Sequence, residues 1–278
     1  MPVRNGEVFI REAITSVLQQ SFRDLVLFIS DNASTDTTAS IIQSFADTDA
    51  RVEYHRQPEN IGLGGNLAFC LQSARTRYVT FLPHDDLLDS MVALERAVEM
   101  LERDSELAAV FSHMRYIDER GRTLMLRKFS TTGYLDSYEL VKQSLISTRN
   151  LFGIPVLMRT DLLHAYTIDP TLNYVGDVDF CYACARGRKV YRVPEVLIAN
   201  RFHTANATSS LIKDARSQFL RLAEKHDIRL SRWEWLKHRF FNVSVYLQKQ
   251  LFLFAVKTRS KIESRWGLGR TRQAEEVS

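Results

Sequence analysis

The 278-residue sequence contains no run of eighteen or more uncharged apolar residues, which argues against a membrane-spanning helix. Its start carries neither the basic region nor the apolar core of a signal peptide, so the expected location is the cytoplasm. Cysteine is scarce. Cys70, Cys181 and Cys184 leave no second pair and no His cluster at zinc spacing, which argues against a disulfide framework or a zinc module. Cys181 and Cys184 form one C-x-x-C, but in a helix-like segment, where two small core thiols are expected.

What is present suits a globular protein: 45% of residues are hydrophobic, ample for one large domain or one domain with an appendage. The formal charge of +4 is unevenly spread. Between Arg229 and Arg272 stand eleven basic residues against Glu234 and Glu263, so the rest of the chain is net negative. The high pI therefore belongs to the C-terminal stretch, and whole-chain charge is no argument for nucleic-acid binding.

The chain is organised around Tyr78 to Leu88, YVTFLPHDDLL, where a short β-type apolar run ends in Asp85 and Asp86. In an open parallel sheet ligands gather outside the carboxyl ends of strands. Two carboxylates there suit Mg2+ or Mn2+, which complete their shells with water and phosphate oxygens. The plainer alternatives are that Asp86 caps the helix beginning near Ser90, or that both are solvated loop charges.

Upstream, Met1 to Gly6 is a loop by composition, and Glu7 to Gln20 has helical spacing. Leu25 to Ser30 is a continuous apolar run typical of a strand covered on both faces. Ser34 or Asp36 would cap a helix over Thr37 to Phe45. Val52 to His55 is a short strand, and Gln57 to Asn66 is a glycine-rich loop opening a helix over Leu67 to Ala74. This alternation, ending in the Tyr78 to Leu82 strand, predicts a parallel α/β sheet with right-handed crossovers. Asp31, the Asn60 to Asn66 loop and Asp85 would then share one crevice. Downstream, the pattern predicts a helix over Met91 to Glu102, a strand over Ala108 to Met114, a hairpin over Tyr116 to Leu126 and a helix over Ser137 to Ser147. Asn150 to Met158 reads as an irregular core strand or the lining of an acceptor pocket. Two further strands are predicted over Lys189 to Val193 and Glu195 to Phe202.

Four segments in consistent order resemble family 2 glycosyltransferases of the GT-A fold. MPVRNGE resembles the opening loop, SDNASTD the V-D-D-G-S-T-D segment, ENIGLGGN the N-x-G loop, and LPHDD the metal-binding L-D-x-D-D. The resemblance covers roughly residues 1 to 205. It implies a mostly parallel nucleotide-binding sheet flanked by helices, a nucleoside diphosphate sugar donor and a divalent cation, Mn2+ or Mg2+. Residue by residue, it assigns Pro2, Val3, Arg4, Asp31, Asn60, Gly62, Asp86 and Arg201 to substrate binding. Asp85 falls on the metal-binding Asp, while Pro83 replaces the first Asp of that motif. Asp177, in YVGDVDF, aligns with the Asp of the family's E-D-x-D segment and so becomes the general base, with Gly176 replacing Glu. Arg201-Phe202-His203 resembles the R-x-H near the end of the catalytic domain, which adds His203 to the metal site. In the family a first apolar strand precedes the opening loop. That strand is missing ahead of Met1-Pro2, and the expectation is that a longer form carries it.

The implied domains are a catalytic domain over 1–208 and a helical, basic and aromatic extension over 209–278. Trp233, Trp235, Leu236, Phe240 and Phe241 alternate there with Lys and Arg. That pattern fits the inner face of a membrane, packing on the catalytic domain, or a twin subunit. The resulting expectation is an inverting glycosyltransferase acting on a hydroxyl of a glycan or lipid-linked acceptor. The rival is a non-catalytic nucleotide-sugar or glycan-binding protein, which the substitutions Pro83 and Gly176 favour.

Overall fold

Parallel strands come first. In the computed structural model, which describes residues 1–163, 166–203, 214–241, 243, 244 and 247, β1 (Pro2–Val3), β2 (Leu27–Asp31) and β3 (Val52–Arg56) form a three-stranded parallel sheet in that order. Their connections are the helices α1 (Ile10–Leu18) and α2 (Thr38–Ala46), and α3 (Gly62–Gln72) follows β3. Ile10, Ala13, Ile14 and Val17 give α1 a buried face. Leu27, Ile29 and Ile42 meet it in a first apolar core.

The second sheet is mixed. It comprises β4 (Tyr78–Val79), β5 (Leu87–Leu88), β6 (Leu107–Ile117), β7 (Thr123–Arg127), β8 (Gly133–Asp136), β9 (Pro155–Arg159) and β10 (Lys189–Arg201). The order along the main path is β4-β9-β6-β10-β5, with β7 on β6 and β8 on β10. Only β6 and β10 run parallel to each other; the remaining pairs are antiparallel. Beside these strands lie α4 (Ala93–Arg103), α5 (Ser137–Ser147), α6 (Gly176–Ala185) and α7 (Ala215–Lys225). β6 is buried on both faces: Leu107, Val110 and Met114 belong to the first core, while Ala108, Ala109 and Phe111 join Val141, Phe152, Val178 and Phe219 in a second.

Local chemistry accounts for the boundaries. Asp136 Oδ1 accepts from Glu139 N at 2.9 Å and caps α5. The hairpin between β6 and β7 turns on Asp118, whose carboxylate accepts from Arg120 N and Arg122 N. Gly121 supplies the positive φ of +73° that this turn requires.

Three predicted elements differ. The apolar run Tyr78 to Leu82 yields only the two-residue β4, antiparallel to β9, not a parallel strand. Thr80 Oγ1 bonds to Pro155 O and Leu82 turns into the first core. Pro83 next lacks the N–H that a ladder would need. Second, the glycine-rich segment is the first turn of α3 and not a loop before it. Third, the two C-terminal strands are one, because β10 runs past Pro194 with register shifts between Arg192 and Val196. The expected hairpin and the helix over Ser137 to Ser147 are both found. All three cysteines are buried and free, Cys181 and Cys184 within α6.

The boundary expected at 208/209 and most of the extension lie outside the described residues. Residues 232–241 are helical. No described helix is long and apolar enough to cross a membrane.

Candidate active site

Two loops separated by thirty residues interlock at the ends of β1 and β2. Asn5 N donates to Ser34 Oγ at 2.9 Å, and Asn5 Oδ1 accepts from Thr35 N at 2.9 Å. Gly6 N donates to Thr38 Oγ1 at 2.8 Å, Glu7 N to Asp36 Oδ2 at 3.2 Å, and Glu7 Oε2 accepts from Thr37 N at 3.0 Å. Ala33 sits at φ +54°, where the family segment quoted above has Gly. A third loop is fastened from below: Asn32 Nδ2 donates to Asn60 Oδ1 and Gly62 O, while Asn32 Oδ1 accepts from Ile61 N. Ser30 and the buried Asn66 exchange hydrogen bonds of 2.6 and 3.0 Å.

Gly6 also brings these loops against LPHDD. A Cβ on Gly6 would fall 2.5 Å from His84 Cδ2 and 2.7 Å from Val3 Cγ2, closer than atoms can pack. Glycine is required there by close approach and not by φ.

Asp85 and Asp86 are adjacent but face different surroundings. Asp85 Oδ2 lies 2.9 Å from His203 Nε2, with both side chains largely buried. Burial raises the Asp85 carboxyl, but the His203 hydrogen bond and the neighbouring His84 outweigh it and hold its pKa below the usual value. Asp86 accepts from Asn200 Nδ2 at 3.1 and 2.9 Å and from Arg201 N at 2.9 Å. Burial, followed by the charge on Asp85, pushes Asp86 up to about 8 despite those donors. Burial and the adjacent charge thus disfavour ionisation of Asp86, while its neighbours favour ionisation of Asp85.

Arg201 anchors this corner. Its fully buried guanidinium donates to Asp85 O at 3.0 Å and Asp118 O at 3.1 Å, pairs with Glu12 Oε2 at 2.5 Å, and stacks on the Phe9 ring at 4.6 Å. Phe9 in turn packs on the His203 ring, with centroids 5.1 Å apart. Asp177 lies in the first turn of α6, exposed, with Oδ2 accepting from Asn150 Nδ2 at 2.6 Å.

The fold and these motifs match known proteins. The sequence model of glycosyl transferase family 2 matches residues 1–167, more than half of the chain. The chain belongs to glycosyl transferase family 2. An uncharacterised glycosyltransferase of Rickettsia typhi is 25% identical over 262 residues, spanning 91% of this chain and 80% of the relative. Another, of Methanocaldococcus jannaschii, is 23% identical over 248 residues, covering 88% and 81%. Among solved structures, S. aureus TarS 1–349 in complex with UDP-GlcNAc superposes with a TM-score of 0.66 at 19% identity, covering 86% of this chain and 68% of that one. The mannosyltransferase PcManGT of Pyrobaculum calidifontis, in complex with GDP-Man and Mn2+, gives 0.60 at 18% identity, covering 97% and 79%. The fold is therefore that of the GT-A glycosyltransferases, and glycosyl transfer is the activity class of this family 2 glycosyltransferase.

Within the family 2 glycosyltransferase, the expected substrate-binding residues separate into two groups. Pro2 forms part of β1, and Arg4, Asn60 and Gly62 are exposed at the strand-end edge. Arg4 Nη1 reaches Asn32 O at 3.5 Å. Val3 and Asp31 are buried: Asp31 Oδ1 accepts from Ser34 N and Oδ2 from Tyr54 Oη. Two expectations are corrected. Arg201 and Asp86 are not presented to substrate; both are buried, and their polar atoms are taken up by the protein. Asp177 and Asp179, two residues and about 200° apart on α6, face opposite ways, the first exposed and the second buried. Asp179 is fully buried and accepts from His226 Nε2 at 2.7 Å, Lys225 Nζ at 2.8 Å and Tyr166 Oη at 3.0 Å, tying α6 to α7.

Sequence reasoning missed Glu12, Asn32 and Asn150. Asn32 stood in a quoted motif, and its amide pattern was the available signal. Glu12 and Asn150 lie in segments that carry no motif, so nothing local marks them.

Proposed function

We propose that this protein is an inverting, metal-assisted glycosyltransferase, in which Asp177 takes the proton of an acceptor hydroxyl as that oxygen attacks the anomeric carbon of a nucleoside diphosphate sugar. The bond from that carbon to the diphosphate oxygen breaks in the same displacement, and the diphosphate leaves as the anion. The observation that carries this reading is the meeting of the Asp85 carboxylate and the His203 imidazole at 2.9 Å beside the interlocked loops.

A carboxylate oxygen and an imidazole nitrogen suit Mn2+, with water and phosphate oxygens completing the shell. No cluster of three His, Cys, Asp or Glu able to hold a metal occurs among the described residues, which fits a cation recruited together with the diphosphate. When bound by Asp85 and His203, such a cation supplies positive charge for the departing diphosphate. Arg4 and the Pro2–Val3 backbone form the nucleobase end, Asn60 and Gly62 border it, and the buried Asp31 acts on it indirectly by holding the Ser34 turn. The acceptor is a hydroxyl of a glycan or of a lipid-linked glycan.

The helix over 232–241 supports contact with an anionic membrane surface. Trp233, Leu236, Phe240, Val243 and Leu247 are all exposed and spaced three and four residues apart, so they form one apolar stripe. Arg232, Lys237 and Arg239 are exposed beside it, in reach of lipid headgroups.

The test is a thermal-shift screen of nucleoside diphosphates with and without manganese, followed by a donor-hydrolysis and transfer screen. Manganese-dependent stabilisation together with sugar release is expected. Stabilisation with no turnover of any donor would favour the non-catalytic binding reading.

A further inference from the structure

The turn between α5 and β9 is fixed by side chains instead of by a ladder. Three successive carbonyls accept from arginine: Asn150 O from Arg127, and Leu151 O and Phe152 O from Arg192, the last at 3.1 Å. Both guanidiniums stack on the Phe129 ring, Arg192 at 4.1 Å and Arg127 at 4.7 Å from its centroid. Arg192 is fully buried and also donates to Thr131 O at 3.0 Å, so carbonyl dipoles of the protein itself compensate its charge. The amide side of the turn is held as well. Leu151 N donates to Ser144 Oγ at 3.0 Å, and Gly153 N to Asn150 Oδ1 at 3.0 Å.

Both ends of the turn adopt positive φ. Thr148, the C-cap of α5, is buried at φ +52°, and its Oγ1 has no hydrogen-bond partner among the described residues. The left-handed region disfavours a β-branched residue, which persists there only where its surroundings over-determine it. Gly153 stands at φ +87°, and a Cβ on it would lie 3.0 Å from Phe129 Cζ and 3.4 Å from Met114 Sδ. The ring that carries the two arginines therefore also closes the far end of the turn.

What this stapled turn presents is one amide. Asn150 Nδ2 donates to Asp177 Oδ2 at 2.6 Å and to Gly153 O at 3.2 Å. Val178 N donates to Asp177 Oδ1 at 2.8 Å. Each oxygen of the carboxylate is thus held by a neutral N–H donor, which sets the plane of an otherwise exposed side chain without placing a charge beside it. A group that moves a proton has to stay within about 0.5 Å of its working position, and a displacement of about 1 Å can cost about 100-fold in rate.

We propose that Asn150 is a positioning residue for Asp177, and that Arg127 and Arg192, by stapling the turn that Asn150 opens, keep the carboxylate aimed at the acceptor hydroxyl. This inference rests on the reading of Asp177 as the base. The two arginines act through the turn and touch no substrate.

The test uses the full chain. In NMR titrations the Asn150 side-chain NH2 signals, assigned by their absence in Asn150→Asp, should follow protonation of the Asp177 carboxylate, and that response should vanish in Asp177→Asn. Signals that ignore pH in the parent, or that respond equally in Asp177→Asn, would overturn the contact. Turnover is measured with UDP-GlcNAc and GDP-mannose as donors in manganese. Asn150→Asp keeps an acceptor for Gly153 N but sets a second carboxylate beside Asp177. A kcat about 10- to 100-fold lower is expected, with donor KM little changed and the acid limb of the pH–rate profile moved to higher pH. A loss of stability without movement of the profile would mean that Asn150 only builds the turn. Arg127→Gln loosens the turn from its other side and should lower kcat about tenfold with the profile unmoved; a parental kcat would overturn the stapling. Asn150→Ala should cost nothing further in the Asp177→Asn background, because the group it orients is gone, and additive losses would overturn the positioning role. Parental turnover in Asp177→Asn sinks the base reading itself, whereas parental turnover in Asn150→Ala beside an inactive Asp177→Asn sinks only this inference.

Discussion

His203 and Asp85, 118 residues apart in sequence, meet at 2.9 Å. One lies just beyond β10 and the other just ahead of β5, and the antiparallel pairing of these two strands brings them together. Asp85→Asn and His203→Ala are each expected to abolish the manganese-dependent part of nucleotide stabilisation in a thermal melt. A parental manganese response in Asp85→Asn would remove that residue from the metal site.

Asp177→Asn changes the charge of the side chain and almost nothing of its shape. Donor binding should persist while transfer falls by about 10²- to 10⁴-fold, the usual worth of a positioned general base. Transfer close to the parental rate at saturating acceptor would rule out the assignment.

Gly6→Ala inserts a methyl between the opening loop and His84. Overpacking of this kind costs about 1–3 kcal/mol, and the displaced atoms belong to the loop that carries Arg4 and to the motif that carries Asp85. Lower stability in urea and a weaker manganese-dependent nucleotide response should appear together. A variant with unchanged melts would mean that the contact relaxes freely.

Asp179→Asn should destabilise by about 3 kcal/mol, because it leaves His226 and Lys225 without their buried partner. Burial raises the Asp179 carboxyl, but the hydrogen bonds from His226 and Lys225 hold its pKa below the ordinary value in the folded state. Its contribution is therefore complete above the unfolded pKa of about 4 and lost as pH falls through the lower folded value. Parent and variant should differ most at pH 7 and converge in acid. A constant difference down to about pH 2 would contradict this linkage.

Trp233→Ala with Phe240→Ala should reduce co-sedimentation with vesicles containing anionic phosphatidylglycerol. Neutral vesicles are the control, and equal binding by parent and variant would exclude this stripe from the contact.

Much of this was legible in the sequence for reasons that can be stated. The family's metal motif and the R-x-H are short, contiguous and rich in chemistry, so LPHDD and His203 were found as a pair before any geometry. Adjacency misled where facing mattered. Asp86 beside Asp85 and Arg201 near His203 carry the right chemistry, but the turn before β5 sends the Asp86 carboxylate inward, and Arg201 is the buried last residue of β10 while His203 lies beyond the strand. The Tyr78 to Leu82 run was read as a strand because it is apolar, yet pairing depends on available neighbours, which no local pattern records.

The interlocked loops have a consequence for kinetics. Asn5, Glu7, Ser34, Asp36 and Thr38 bond to one another's segments through protein atoms alone. Little chain entropy remains to be lost when a base arrives, so association should be limited by diffusion and desolvation instead of by loop ordering. The same stiffness fixes the shape of this edge in advance. Under the proposed assignment of the nucleobase to it, discrimination among bases would be by steric exclusion, and broadening the donor range would require loosening the lock between the two loops first.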